Sequence, residues 1–162
     1  MSTKQLRCVN LTQQDNVPFC APGTKHITPA GDTYRYVQAQ AAKTVSLAYG
    51  IDENWEVSAA AVIETDHSPL LGVPAFTSSA PASGFTYKYF WIQTAGNFAG
   101  IVTGNDVADN AGVYTCNAGS EGKVDDGDDT GKLIRGWKFT SGAVAPATAT
   151  VFAAEEASLD QA

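Results

Sequence analysis

Basic residues are scarce in this sequence. Lys and Arg together number 10 against 17 Asp and Glu in a chain of 162 residues, so the formal net charge is −7. Phosphate backbones and anionic membrane surfaces attract positive charge, and we therefore expect neither nucleic acid nor a membrane as a partner. Charged residues make up only 17% of the chain and hydrophobic residues 44%, which indicates one folded domain rather than a disordered chain.

Long apolar runs are absent as well. No stretch approaches the roughly 20 apolar residues that a membrane-spanning helix needs. Residues 1–16 contain no apolar core of the kind that a signal peptide requires. We therefore expect the protein to be made in a cytosol and to stay there unless it is assembled into a larger particle.

Cysteine and histidine are few. The three cysteines, Cys8, Cys20 and Cys116, are odd in number and widely spaced, and the only histidines are His26 and His67. This spacing predicts neither a disulfide framework nor a zinc site built on a Cys-x-x-Cys pair. We expect buried or unreactive thiols in a reducing compartment and no metal or cofactor, while disulfides between copies stay open.

The segment Asp125–Asp129 is strongly acidic. A calcium loop places its ligands at alternate positions and ends on a glutamate, whereas this segment has adjacent aspartate pairs around one glycine. An acidic hairpin loop is therefore the better interpretation, and cation binding stays open. Asp66, His67 and Ser68 are neighbours in sequence, and neighbouring side chains point apart, so they predict no catalytic triad. We expect a protein without catalytic residues.

Short segments rich in β-forming residues follow one another from residue 33 onward, separated by Gly, Asn and Asp. This spacing predicts an all-β fold, either a sandwich or a small barrel. The segment Trp55–Glu64 could be a strand or a short helix, and no amphipathic helix is predicted elsewhere. Strands are expected at Thr33–Ala39, Lys43–Tyr49, Leu70–Phe76, Phe85–Thr94, Phe98–Val102, Gly112–Cys116, Leu133–Phe139 and Ala147–Phe152.

The segment Phe85–Thr94 gives the strongest strand signal. Its aromatic residues Tyr87, Tyr89 and Trp91 share one face with Phe85, and the opposite face is also largely apolar. Apolar side chains on both faces predict a central strand. Because few strands of a small domain are buried on both faces, we expect another protein to cover part of this surface.

Residues 1–30 are expected to form an extended N-terminal arm. Three prolines between residues 18 and 29 remove backbone donors and disfavour a helix or a central strand. The arm also carries apolar residues, which predict contact with its own domain or with a neighbouring molecule. These are Val9, Leu11, Val17 and Phe19. At the other end, residues 154–162 are expected to form an acidic tail.

Four segments of residues 31–153 follow one another in a recognisable order: Gly31–Ala39, Tyr89–Gly96, Leu133–Trp137 and Ala147–Phe152. This order resembles that of the small capsid decoration (cement) proteins of tailed bacteriophages. The resemblance implies that residues 31–153 form the β-barrel decoration domain, a small β-barrel or β-tulip-like sandwich. The family's W-[IV]-Q-x-x-G strand and its late I-x-G strand imply six structural framework residues. These are Trp91, Ile92, Gln93, Gly96, Ile134 and Gly136.

The resemblance implies a virion protein on the outer surface of an icosahedral head. It implies a homotrimer, with a dimer as the alternative, that bridges neighbouring major capsid protein subunits and stabilises the shell. On this hypothesis the apolar arm residues are candidates for contacts with the capsid or with another subunit. The alternatives are another virion part, such as a head-completion or tail protein, a carbohydrate-binding β-module, and a carboxylate-dependent hydrolase.

Overall fold

The computed structural model describes residues 9–61, 70–116, 120–127, 132–144, 147–154 and 156. Ten strands and no helix occur in these ranges, so the all-β prediction is confirmed. In this part of the chain there is accordingly no helix long and apolar enough to cross a membrane. The strands are β1 (Gln14–Asp15), β2 (Lys25–Ile27), β3 (Thr33–Ala39), β4 (Tyr49–Ile51), β5 (Leu70–Pro74), β6 (Lys88–Val102), β7 (Gly112–Thr115), β8 (Val124–Asp125), β9 (Leu133–Phe139) and β10 (Thr148–Ala153).

Seven of these strands follow one another across the sheet in the order β2-β3-β6-β10-β9-β7-β8. β1 and β5 also pair with β6, and β4 pairs with β5. A barrel closes only when its terminal strands pair with each other. Within the described ranges β2 and β8 do not pair, and they are only three and two residues long. The sheet is therefore open and does not close into a barrel, which was one of the two predicted architectures.

Strand β6 positions the rest of the sheet. Its 15 residues merge two predicted strands, Phe85–Thr94 and Phe98–Val102, although the observed strand begins only at Lys88. The first half pairs with β3 and the second half with β10. Gly96 lies where β6 passes from one partner to the other, and its φ of +99° is a backbone conformation that favours glycine.

Alternate side chains of β6 enter different apolar clusters. Phe90 and Ile92 pack with residues of β3 and β4 on one face, while Trp91 packs with Tyr34 and Tyr36 on the other. A third cluster forms around the second half of β6 together with β9 and β10. The expectation that both faces of this strand are buried is thus confirmed.

The prediction of a strand at Lys43–Tyr49 is wrong. Its alternating sequence bends in a turn at Ser46, where φ is +68°, and β4 begins only at Tyr49. Lys43 is drawn inward, because its Nζ donates hydrogen bonds to the carbonyl oxygen of Ser58 at 2.7 Å and that of Ala59 at 3.1 Å. The alternation of residue types in this segment therefore does not mark a pleated strand. The segment instead contains a buried lysine and a turn.

The undecided segment Trp55–Glu64 contains no helix as far as residue 61, where the first described stretch ends. Trp55 has a φ of +61°, and isolated bridges connect Glu56 and Val57 to other parts of the sheet. Residues 62–64 lie outside the described ranges. The sequence neighbours 66–68, which we did not expect to form a catalytic triad, lie outside them too.

Candidate interaction site

An aromatic layer covers one face of the sheet. Tyr36 of β3 lies opposite Trp91 of β6 in the strand register, and their ring centroids are 5.2 Å apart. Both side chains are almost completely buried, and Tyr34 next to them is only 9% exposed. Tyr89 stacks beside Tyr36 at 6.1 Å. The layer follows from the alternation of side chains in a strand, because residues two apart share a face.

Part of the predicted N-terminal arm lies across this aromatic layer. Val9, Leu11 and Cys20 are partly buried against it. The Phe19 ring meets the Tyr36 ring edge to face, with centroids 4.7 Å apart, and the His26 ring lies 5.9 Å from that of Trp91. The described residues of this segment therefore contact their own domain, which was one of the two options left by the sequence.

Hydrogen bonds hold the same segment at several points. The side-chain oxygen of Gln14 accepts a bond from the Ser79 amide at 2.9 Å, and that of Asn16 accepts one from the Ala82 amide at 3.1 Å. Strand β1 adds two residues of antiparallel pairing with β6. Farther along, the Gly23 amide donates to the Tyr36 carbonyl at 2.7 Å. These bonds fix the segment in one register on the sheet.

The four apolar candidates of the arm separate into two pairs. Val9 and Leu11 point toward the aromatic layer, whereas Val17 and Phe19 remain 65% and 55% exposed. We call these two exposed side chains the arm patch. Single exposed apolar residues are common in proteins, but here two of them lie within three residues on a segment held against buried rings.

The framework residues of β6 are surrounded by other residues of the protein itself. Trp91 and Ile92 are buried on opposite faces. Gln93 is also buried, and it accepts a hydrogen bond from the Tyr34 hydroxyl and donates to two backbone carbonyls. A Cβ atom on Gly96 would lie within 2.7 Å of the Asp32 Cα, so only glycine allows this close approach. These surroundings agree with a framework role, which stays a prediction.

The two framework residues of β9 differ in exposure. Ile134 is completely buried in the cluster around β9 and β10. Gly136 is exposed, has a φ of +79° and accepts a long backbone hydrogen bond of 3.4 Å from Ala154. A β-carbon at this φ would strain the strand, so the glycine serves backbone conformation rather than packing.

Two of the three thiols lie in the described ranges, and both are free. Cys116 is buried and its Sγ donates to an Asp125 carboxylate oxygen at 3.4 Å. Burial, together with the nearby Asp125 charge, raises the pKa of the Cys116 thiol to about 12. Burial also raises the pKa of Cys20. Thiolates are the reactive form, so both cysteines are held in a weakly reactive state; Cys8 lies outside the described residues.

The beginning of the acidic loop is engaged in local hydrogen bonds. Asp125 is 4% exposed and accepts a bond from the Gly127 amide at 3.0 Å. Asp126 accepts one from the Ala108 amide at 3.0 Å. Asp128 and Asp129 lie outside the described residues. Within the described ranges, His, Cys, Asp and Glu form no group of three that could hold a metal ion.

An ion pair that the sequence did not predict joins the acidic tail to the sheet. The Glu156 carboxylate accepts two hydrogen bonds from the Arg35 guanidinium, at 2.6 and 2.7 Å, and a third from the Thr94 hydroxyl at 2.8 Å. The hydrogen bond from Arg35 is the main reason that the pKa of Glu156 is lowered. Among the predicted tail residues 154–162, only 154 and 156 are described.

Comparison with protein-family models, with curated proteins and with solved structures found no match to this chain. The resemblance to capsid decoration proteins therefore stays a prediction.

Proposed function

We propose that this protein is a capsid decoration (cement) protein that binds the outer surface of a tailed-phage icosahedral head. In this role it bridges neighbouring major capsid protein subunits and stabilises the shell without catalysing a reaction. The observation that carries the proposal is the arm patch. Val17 and Phe19 are exposed, yet the segment that bears them is held by hydrogen bonds and ring contacts to the sheet.

A pre-positioned apolar patch is suited to adhesion. Burying a half-exposed apolar side chain contributes about 1 kcal/mol to binding, and a fixed segment loses little conformational freedom when a partner covers it. One such patch binds weakly. A homotrimer, or a dimer as the alternative, would present several patches at once, and the affinities of linked contacts multiply through effective concentration.

The negative net charge of the chain agrees with an exterior position. With −7 charges at neutral pH, the protein is repelled by packaged nucleic acid. We therefore place it on the outside of the shell, with the major capsid protein and its own copies as partners, and with neither DNA nor a membrane.

Co-sedimentation with empty heads tests the proposal. The heads are assembled from the shell protein encoded in the same genome, expanded, and mixed with the full-length chain or its variants. We expect the double variant Val17→Ser/Phe19→Ser to bind about 30-fold more weakly than the unmodified chain, because two contacts worth about 1 kcal/mol each are lost. Sedimentation equilibrium of the free chain gives the number of copies per particle.

A matched double variant controls for the general loss of surface apolarity. Phe85 and Val144 are 46% and 75% exposed and lie outside the arm patch, so Phe85→Ser/Val144→Ser should leave head binding unchanged. Denaturant unfolding of both variants shows whether each is folded under the binding conditions. Failure of the unmodified chain to sediment with the heads, or equal weakening by both double variants, would contradict the proposal.

A further inference from the structure

A groove of about 400 Å³ lies where β3 begins and β10 ends. Its residues Lys25 and Thr33 alternate along their strands with His26 and Tyr34, which belong to the aromatic side. Because successive side chains of a strand point to opposite faces, the groove opens on the face of the sheet away from the aromatic layer. It is therefore separate from the site described above.

Small residues form part of the groove lining. These are Gly31, Ala95, Gly96 and Ala153, and a Cβ atom on Gly31 would meet nothing within 4 Å. Small residues let the main chain of a bound segment approach the strands closely. The shape of the lining thus suits an extended polypeptide.

Two exposed apolar side chains lie in or near the groove. Phe152 lines the groove and is 41% exposed. Ile27 is 56% exposed and is the register partner of Thr33, which also lines the groove. Register partners of neighbouring strands share a face, so Ile27 and Phe152 lie on the groove side. Three strand spacings, about 14 Å, separate β2 from β10, so Phe152 is the contact that the groove offers to one large apolar side chain.

The charges near the groove favour an acidic ligand. The only lining carboxylate in the described residues, Glu156, is held by two hydrogen bonds from Arg35. Lys25 lines the groove and forms no ion pair within the described part of the chain. Lys138 is exposed and is the register partner of Phe152. Nearby, the Asp32 carboxylate accepts a hydrogen bond from the Asn97 amide.

We infer that this groove binds an extended acidic segment of a partner protein that carries one large apolar residue. The apolar side chain packs against Phe152, and carboxylates on either side of it approach Lys25 and Lys138. This inference goes beyond the proposed function, because the groove and the arm patch belong to different faces. Through them one copy of the protein can hold two partner segments at once.

Titration of the isotopically labelled full-length chain with capped peptides, followed by amide NMR shifts, tests this inference without any head particles. The probe has one leucine with two aspartates on each side. We expect binding on the order of millimolar, with shifts concentrated at Gly31, Thr33, Gly96 and Ala153. Replacing the leucine by serine or the aspartates by lysines should each reduce the affinity by about threefold to tenfold.

Variants of the chain make the assignment specific. Lys25→Glu and Phe152→Ser should weaken binding of the acidic probe, and Lys25→Arg should restore it. The exposed Phe85 lies outside the groove, so Phe85→Ser should have no effect. Scattered shifts, no shift at millimolar probe, or equal binding of the lysine-containing probe would overturn the inference. None of these outcomes depends on head binding, so they can be told apart from a failure of the proposed function.

Discussion

Arg35 and Glu156 form a bidentate ion pair between positions 121 residues apart in the chain. The guanidinium Nε lies 2.6 Å from one carboxylate oxygen and Nη2 lies 2.7 Å from the other. Arg35 also donates to the Gly23 carbonyl at 3.0 Å and lies over the Trp55 ring at 5.1 Å. One arginine thus connects the segment after β10 with the chain just before β2.

The ion pair predicts an acid-dependent loss of stability. The pKa of Glu156 is lowered in the folded protein, so its contribution is complete above the unfolded value of 4.5 and is lost as the pH falls through the folded value. Glu156→Gln should lower the free energy of unfolding by about 1 kcal/mol at pH 7, and the difference from the unmodified chain should shrink toward pH 3. Denaturant unfolding at several pH values measures this.

Glu53 supplies the matched control for this measurement. It is exposed, so Glu53→Gln should change the free energy of unfolding little. An equal loss in both variants, or a loss in Glu156→Gln that is the same at pH 7 and pH 3, would mean that the ion pair contributes nothing specific.

Lys43 gives a dependence on pH of the same sign, but in the alkaline range. Burial is the main reason that its pKa is lowered. Between the folded pKa and the unfolded value of 10.5, the unfolded chain keeps a proton that the native protein has released, so stability rises with pH. We therefore expect the stability of the unmodified chain relative to Lys43→Met to increase from pH 7 to pH 11.

At pH 7 the stability of the same variant measures the contribution of the hydrogen bonds that Lys43 donates to two backbone carbonyls. Lys43→Met leaves the Ser58 and Ala59 carbonyl oxygens without their donor. We expect a loss of about 2 kcal/mol in the free energy of unfolding, whereas Lys138→Met at an exposed position should lose almost nothing. If the difference in the free energy of unfolding between Lys43→Met and the unmodified chain did not change with pH, the pKa of Lys43 would not be lowered in the folded protein.

Local sequence patterns predicted some strands with their observed bounds. Thr33–Ala39 and Leu133–Phe139 were both predicted as they are found, because β-forming residues are bounded there by turn residues. The pattern failed at Lys43–Tyr49, since what bends this segment is a set of hydrogen bonds to residues far along the chain. It also divided β6 in two, because Gly96 is typical of a turn, whereas the pairing of Gly96 with Ala153 of β10 shows that the strand continues.

The candidate sites were predicted only in part. The sequence identified the apolar arm residues, but it could not show that Val17 and Phe19 face outward while Val9 and Leu11 face inward, because an irregular segment has no periodicity from which a face can be read. The groove beside Lys25 was missed, since it is formed by strands that are distant in sequence. No local motif marks such a meeting point.

Cys116 should resist modification until the protein unfolds. In a chain carrying Cys8→Ser and Cys20→Ser, the remaining thiol is buried and its pKa is raised to about 12. We expect no reaction with a thiol reagent at pH 8 in the native protein and complete reaction in denaturant. Reaction at the same rate in both conditions would contradict the buried position.

The raised thiol pKa also sets a pH dependence. Between the unfolded value of 9.0 and about 12, the native protein keeps a proton that the unfolded chain loses, so the stabilisation from Cys116 falls as the pH rises. The stability of the unmodified chain relative to Cys116→Ala should therefore decrease from pH 8 to pH 11. A difference that stays constant over this range would show that the thiol titrates alike in both states.

Alanine substitutions at Gly96 and Gly84 distinguish the cost of backbone strain from the cost of a steric clash. Their φ angles are +99° and +87°, so an alanine at either position costs about 1 kcal/mol in backbone conformation. At Gly96 the added Cβ would also collide with Asp32, whereas at Gly84 it would meet nothing within 4 Å. Gly96→Ala should therefore lower the free energy of unfolding by about 3 kcal/mol and Gly84→Ala by about 1 kcal/mol. Equal losses in denaturant unfolding would mean that β6 does not depend on the close contact with Asp32.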